Sequence, residues 1–540
     1  MSEAASPNRP AAPEQLDAVV VGAGFAGLYM LHRLRGLGMT ARIFERGSGV
    51  GGTWYWNRYP GARCDVDSME YSYEFDEALE QEWEWTEKYA TQPEILRYAN
   101  HVADRYDLRR DIVFEATVES ARWDDDSSRW HVRTTSGDVD ARFMIMATGC
   151  LSSTNVPDFP GLESYRGDWY HTGAWPHEPV DFSGKRVAVI GTGSSAIQSI
   201  PIIAEQAEHL HVFQRTPNYS VPAHNAPLTP EKQAAVKARY RELRAANRAY
   251  ASCFGAELPP ARPVAMDDSP EERQTIFEQR WEMGGLPFLS GYADVLIDPA
   301  SNEAAAGFVR EKIREIVKDP EVAEALTPDQ RIGCKRMCVD TGYYETFNRD
   351  NVTLVDISKR GIDAITSHGL RVGDDAYEFD AIVFATGFDA MTGSLLKIDV
   401  VGRDGLSLRE KWEAGPRTYL GLEIAGFPNM FTISGPGSPS VLTNMLVSIQ
   451  QHVEFITDCL AWMAEHDMQT IEAEVAAEDE WVDVVNAVAD QTLFPTCNSW
   501  YLGANVPGKP RVFMPFIGFP PYAAKCEEVA AKGYEGFRFE

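Results

Sequence analysis

Asp17-Ala18-Val19-Val20-Val21-Gly22-Ala23-Gly24-Phe25-Ala26-Gly27 is followed by a helical pattern with Leu28, Leu31 and Leu34 on one face, and this stretch decides the fold. A β-branched run, a G-x-G-x-x-G turn and an apolar helical stripe in that order predict a strand, a phosphate-binding turn and a crossover helix. Gly22 allows the tight turn, Gly24 the close approach of backbone to a pyrophosphate, and Gly27 the packing of helix on strand. The next apolar run, Thr40 to Phe44, ends in Glu45, which is placed to accept hydrogen bonds from ribose hydroxyls. A carboxylate there repels a 2′-phosphate, so the site suits FAD or NAD rather than NADP. Glycine turns are common, and it is the strand, helix and acid in register that give the motif its force.

A second unit of the same kind begins at Arg186-Val187-Ala188-Val189-Ile190 and continues Gly191-Thr192-Gly193-Ser194-Ser195-Ala196, with Gln198 one turn on. Its second strand, His211 to Phe213, ends in Gln214-Arg215-Thr216, so a cation and a hydroxyl stand where the first unit has an acid. A guanidinium binds phosphate through two parallel hydrogen bonds, which favours NADPH here. Two such units in one chain point to electron transfer between two cofactors.

Composition agrees with a soluble enzyme and excludes other classes. The chain has 540 residues, 44% hydrophobic and 24% charged, enough for two or three domains with their own cores. A net charge of −30 repels nucleic acid and anionic membrane surfaces, so local Arg and Lys groups must bind any phosphate. The eight cysteines show neither zinc-ligand spacing nor a dense disulfide framework, which favours the cytoplasm. The amino-terminal residues 1–15 lack an apolar signal core and read as a disordered lead-in, and the apolar stretch near 16–31 belongs to the nucleotide fold, not to a membrane span.

Two further apolar strands, Arg142 to Gly149 and Ala381 to Gly387, each stop at Ala-Thr-Gly, as closing strands of two nucleotide domains would. The expected architecture is α/β with two Rossmann-like dinucleotide-binding domains: FAD over 16–150, NADP over 151–387, and a return to the FAD domain with a mobile substrate and NADP loop over 388–540. Helical, charge-rich patterns such as Pro230 to Asn247 and Ser301 to Val317 predict a helical insertion over about 229–330.

Between the two glycine motifs runs YRGDWYHTGAWP, 165–176, in which Tyr165, Gly167, His171, Trp175 and Pro176 fit aromatic-x-Gly-x-x-x-His-x-x-x-Trp-Pro. With GGTWYWNRYPGARCD at 51–65, KYATQPEIL at 88–96, KR at 335–336, GYYETFNRDNV at 342–352, ATGFDAMTGS at 385–394, GPGSPSVLTNM at 435–445 and NSWYLGANVPGKP at 498–510, the chain resembles the type I Baeyer-Villiger monooxygenases over nearly its whole length. The loop 435–445 looks closest to the phenylacetone and steroid monooxygenase branch. Tyr165 replaces the family's usual Phe, and FIGFPPYAAKCEEVA at 516–530 departs from the glycine-rich form expected near the substrate entrance.

The resemblance implies NADPH- and FAD-dependent insertion of one atom of dioxygen into a ketone, giving an ester or lactone through a C4a-peroxyflavin and a Criegee intermediate. It implies a hydrophobic ketone as substrate and needs no obligate protein partner. By the same resemblance Arg336 is the catalytic arginine and Asp65 holds its guanidinium. A permanently protonated cation beside a developing anion is what arginine alone supplies at neutral pH. Around FAD it places Gly22, Gly24, Phe25, Ala26, Gly27, Glu45, Gly52, Thr53, Trp54, Trp56, Asp65, Tyr71, Val118 and Met445. Around NADP it places Gly191, Thr192, Gly193, Ser194, Ser195, Ala196, Gln198, Arg215, Thr216, Lys335, Arg336 and Trp500.

Plainer roles stand beside these. Trp54, Trp56 and Tyr71 also suit a core, Met445 suits packing as well as flavin contact, and His171 suits ordering of the linker better than proton transfer. Cys334 and Cys338 flank the cationic pair and read as spectators rather than a redox disulfide. A flavin disulfide reductase would need a redox Cys pair soon after the first motif, where only Cys64 lies. A flavin-dependent S- or N-oxygenase is the alternative with the same cofactors, and a redox-controlled binding module without catalysis is a further one.

Overall fold

The structure, a computed structural model, describes residues 13–540. Most of the lead-in expected over 1–15 lies outside the described residues; its last two positions differ from expectation. Glu14 and Gln15 already belong to the first strand, where Gln15 Nε2 donates to Asp140 and Glu14 receives the Arg42 guanidinium.

Strand β1 (Glu14–Val21), helix α1 (Phe25–Gly36) and strand β2 (Ala41–Phe44) form the first nucleotide unit. Val19 and Val20 are sealed from solvent, because their branched side chains pack against both faces of a covered parallel sheet. Each such burial stabilises by roughly 1.5–3 kcal/mol. Strand β3 (Gly137–Met146) runs parallel to β1 on the side away from β2, with Val21 opposite Met146. Eight strands make this sheet: Asp399–Val401, Val118–Asp124, Arg129–Thr134, β3, β1, β2 and Ile112–Val113 in order, with Met430–Thr432 also on β3. The carboxyl-terminal part of the chain therefore supplies two strands of the first sheet. It also supplies helix Met445–Glu465, tied to α1 by Tyr29 to Glu454 and Arg33 to Asp458.

The second sheet is wholly parallel. Strand β4 (Asp168–His171) lies at one edge, β5 (Arg186–Ile190) begins the second glycine motif, helix α2 (Ser194–Gln206) follows it, and β6 (His209–Gln214) carries the chain to Arg215. With β7 (Val352–Asp356) and β8 (Ala381–Phe384) the order is β7, β6, β5, β8, β4.

The two Ala-Thr-Gly strand ends occupy equivalent places, β3 beside β1 and β8 beside β5. At each, a glycine with positive φ closes on the neighbouring strand. A Cβ on Gly22 would come to 2.8 Å from the Ala147 carbonyl oxygen, and one on Gly191 to 2.5 Å from that of Ala385. Gly27 is tighter still, since its Cβ would sit 1.9 Å from the Gly22 carbonyl oxygen, whereas the matching place in α2 accepts Ala196.

The helical stretch expected over 229–330 divides in two. Pro270–Met283 and Pro299–Ile316 share a core with the second sheet. The pattern from Pro230 to Asn247 is broken at Ala238-Arg239 into Pro230–Lys237 and Tyr240–Arg248, and the second piece turns toward residues 70–80. The break lets buried Arg244 reach Glu80, Ser72 and the Glu70 carbonyl oxygen, partners a buried guanidinium requires. No helix among the described residues is long and apolar enough to cross a membrane.

Candidate active site

Helices α1 and α2 begin on Gly24 and Gly193 with no side-chain cap and no acid in the first turn. Side chains do cap the helices that start at Pro230, Pro270, Pro299 and Pro320, through Thr229, Ser269, Asp298 and Asp319. The first N–H groups of α1 and α2 are thus free to bind an anion, and the helix dipole favours one there. A Cβ on Gly193 would meet nothing within 4 Å, so that turn leaves open space at its backbone, while one on Gly52 would come to 2.9 Å from the Gly24 Cα, so the 51–52 segment packs closely on the first turn.

Glu45 is buried, and each of its oxygens accepts one backbone N–H, Oε2 from Ala23 and Oε1 from Gly47, both at 2.7 Å. Each oxygen keeps a lone pair for a hydroxyl, and the carboxylate also fixes the glycine turn, a second task the sequence did not suggest. Trp54 donates to the Tyr71 hydroxyl at 3.1 Å, so these aromatics form a hydrogen-bonded pair, with Thr53 exposed beside them. The Arg46 guanidinium covers the Trp56 ring at 4.5 Å. Val118 is buried at the start of its strand, and Met445, the first residue of its helix, touches both the first core and the apolar cluster around Val441. Phe25 and Ala26 are buried in the same core.

Arg336, just before strand Cys338–Asp340, meets Asp65, from the segment between β2 and β3. Nε donates to Oδ2 at 2.7 Å and Nη2 to Oδ1 at 2.9 Å, while Nη1 donates to the Val441 carbonyl oxygen at 2.7 Å. Burial works against the positive charge, but Asp65 overrides it and holds the guanidinium above its ordinary range. Three of the five N–H donors are spent, which leaves two for a ligand. The Tyr501 hydroxyl shares this space: burial pushes its pKa up to about 12, against the pull of Arg336.

Arg215 is exposed, Lys335 is half-buried, and neither has an ion-pair partner among the described residues. Burial and the neighbouring Arg215 both lower the Lys335 pKa. Two cations that repel each other beside the free end of α2 make a site for a doubly charged anion. The other residues expected there are partly diverted. Thr192 Oγ1 donates to the Thr216 carbonyl oxygen at 2.9 Å. Gln198 accepts from the Tyr59 hydroxyl at 2.8 Å and donates to the Arg63 carbonyl oxygen at 3.2 Å, so its side chain ties α2 to the segment carrying Asp65. Ser195 faces Thr172 at 3.0 Å, and Ser194 is exposed at the helix start.

The linker residues 165–176 are structural by every contact. His171 Nδ1 accepts the Gly173 N–H at 3.0 Å, Nε2 faces Thr386 Oγ1 at 3.3 Å, and burial lowers the ring's pKa to about 4. The Tyr165 hydroxyl donates to the Phe379 carbonyl oxygen, and a Cβ on Gly167 would come to 2.7 Å from the Asp380 carbonyl oxygen. Trp175 is buried and donates its N–H toward the Trp56 carbonyl oxygen, with Pro176 next to it.

Segment 498–510 lies over this junction. Trp500 and Tyr501 stand 4.2 Å apart, centroid to centroid. Asn505 donates to the Phe388 carbonyl oxygen at 2.7 Å, and Lys509 reaches both Asp389 and the Ala390 carbonyl oxygen at 2.6 Å. The expectation that Cys334 is a spectator is corrected: Cys334 is bonded to Cys497, 163 residues along the chain, while Cys338 is a free buried thiol. Sequence reading missed Tyr501, Asn505, Lys509 and Cys497. The first three sit inside the quoted segment, and only its fold shows what they touch. The divergent stretch 516–530 contains helix Phe519–Ala531, whose Tyr522 hydroxyl donates to the Leu420 carbonyl oxygen inside the first core.

Comparison with known proteins bears on this arrangement. Residues 19–253 match the family described as Pyridine nucleotide-disulphide oxidoreductase. A solved structure described as oxidized steroid monooxygenase bound to NADP superposes with a TM-score of 0.92 and 53% sequence identity, over 97% of this chain and 99% of that one. A Baeyer-Villiger monooxygenase of Pseudooceanicola batsensis is 44% identical over 526 residues, 96% of this chain and 95% of its own. A phenazine N-monooxygenase of Lysobacter antibioticus is 41% identical over 527 residues, 96% of each chain.

Proposed function

We infer the chemistry of this site from one premise: the chain belongs to the Baeyer-Villiger monooxygenase family. It is an NADPH- and FAD-dependent monooxygenase that converts ketones to esters or lactones. Bound FAD would supply hydride acceptance from NADPH and activation of dioxygen, one of whose oxygen atoms enters the ketone while the other leaves as water.

The residues divide that work. The free N–H groups of α1, with Gly22, Gly24 and Gly27 giving close approach, would hold the FAD diphosphate, and Glu45 its ribose. The free end of α2 would hold the NADPH diphosphate, with Arg215 and Lys335 on the 2′-phosphate. Arg336 would turn its two unspent N–H donors toward the negative charge that develops during oxygen transfer, in a pocket dry enough for that charge to matter. Asp65 would aim the guanidinium and balance its charge. Trp500 and Tyr501, on the segment over the junction, would keep water out.

One observation carries this reading: a guanidinium held protonated by a two-point carboxylate contact, with two donors free, in a chain that also offers two helix starts no side chain caps. The reductase alternative fails on Cys64, which is a lone buried thiol. Val441, Met391, Phe494, Phe513 and Met514 form an apolar cluster beside Arg336, which suits a hydrophobic ketone over a charged one. Incubation with NADPH, isotopically labelled dioxygen and a panel of linear, aryl and cyclic ketones tests the proposal. One labelled oxygen per ester is expected; flavin turnover with no label in any ester overturns it. The phenazine relative makes N-oxidation the second reading, and a labelled N-oxide from an aromatic N-heterocycle, with no ester from any ketone, would establish that instead.

A further inference from the structure

The bond between Cys334 and Cys497 joins two short pieces of chain with the most to lose by moving apart. Cys334 immediately precedes Lys335 and Arg336, and Cys497 immediately precedes the segment with Trp500 and Tyr501. Arg331 Nη1 donates to Thr496 Oγ1 at 3.0 Å, so the chain leading into segment 498–510 is also seated on the cation-bearing segment by a hydrogen bond, and the Leu493 N–H donates to the Leu296 carbonyl oxygen at 2.9 Å. Leu296, Ile332, Leu493 and Phe494 give the two cysteines apolar neighbours. Cys497 is half-buried, whereas the six other cysteines are buried and unpaired. Of the eight cysteines, Cys497 is therefore the one least enclosed by the rest of the protein.

We propose that Cys334 and Cys497 are a peroxide-sensitive modification site, a thiol pair whose oxidation fastens the base of the 498–510 lid over the bound nicotinamide cofactor. The oxidant is hydrogen peroxide, and the inference rests on the proposed function for its local source: reduced cofactor that gives its electrons to dioxygen without a ketone releases it. The Cys497 thiolate attacks one peroxide oxygen, the O–O bond breaks, and one water leaves to give a sulfenic acid. Cys334 then attacks that sulfur, the S–OH bond breaks, and a second water leaves. Two thiols and one peroxide thus become one disulfide and two waters, and a dithiol of the cell or the test tube reverses the change. Uncoupled turnover would tighten the lid on NADP+, which opposes further uncoupling.

The test uses the holoenzyme purified under dithiothreitol, freed of reductant and divided. One portion receives hydrogen peroxide. After unfolding, alkylatable cysteines are expected to fall from eight to six, with a single cross-linked peptide containing Cys334 and Cys497. With NADP+ present, thermolysin should cut within 498–510 roughly tenfold faster in the reduced form, because the cross-link raises the effective concentration of the lid at its seat. Cys497→Ser and Cys334→Ser, made separately, should each cut at the reduced rate under both conditions. Oxidation of other thiols first, or equal cutting of the two forms, overturns the proposal. Neither readout needs a ketone, so failure of the ketone reading shows itself separately, as missing labelled ester with the peroxide response intact.

Discussion

Asp65 and Arg336 stand 271 residues apart in the chain and meet through two hydrogen bonds of 2.7 and 2.9 Å, both from the Nε–Nη2 edge of the guanidinium. The pair fixes which donors remain for a ligand. Arg336→Ala should lower ester formation by about 100-fold or more, the loss seen when a charge-stabilising donor is removed, while anaerobic reduction by NADPH slows far less. Stopped-flow absorbance separates the two half-reactions; ester at near wild-type rate in the variant would remove Arg336 from the mechanism.

Asp65→Ala leaves the guanidinium in place without its partner. Both half-reactions should slow, and thermal stability should fall, since removing one member of a largely buried pair exposes the other to an uncompensated desolvation cost. Asp65→Asn keeps one hydrogen-bond acceptor and should fall between wild type and Asp65→Ala in melting temperature.

Arg215 and Lys335 offer two unpaired cations to one phosphate. Losing either should weaken NADPH binding by about 1.5–3 kcal/mol, the worth of a charge-assisted hydrogen bond, and leave NADH nearly unaffected. Steady-state kinetics of Arg215→Ala and Lys335→Ala with both coenzymes measure the preference, and an unchanged preference in both variants would refute the assignment.

Two buried histidines predict the acid limb of stability. His171 has its pKa lowered to about 4, and His452, which accepts the Ser434 N–H and faces the Tyr522 hydroxyl, has its pKa lowered to about 3, both by burial. Each is neutral when folded and takes up a proton more readily when unfolded, near the ordinary value of about 6.5. The stability they lend is complete above that value and is lost as pH falls toward 4 and 3. Each costs roughly 1.4 kcal/mol per pH unit across its window. Urea unfolding between pH 7 and pH 4.5 reads this slope, and His171→Asn should flatten it.

The sequence made the two glycine turns, their strands and the Arg336 pairing legible because each is written in local pattern or in a quoted motif. Gln198 shows where that stops: its place in the second turn is plain, yet its side chain serves Arg63 and Tyr59, partners that only the docking of two sheets supplies. The break at Ala238-Arg239 was likewise hidden, since a charge-rich helical pattern does not say that Arg244 must find Glu80 and Ser72. Cys334 was misjudged for the same reason. Its neighbour in sequence is Cys338, and its neighbour in space, Cys497, comes from the far end of the chain.

Lys509 and Asn505 rest on Phe388, Asp389 and Ala390, the piece of chain that leaves the last strand of the second sheet and heads back to the first. The cover of the cleft is thus bolted to the joint between its walls. A rotation of one wall against the other would be expected to load these contacts. A substitution at Asn505 or Lys509 chosen to change how long the oxidised coenzyme stays is therefore expected to change how the two units meet as well.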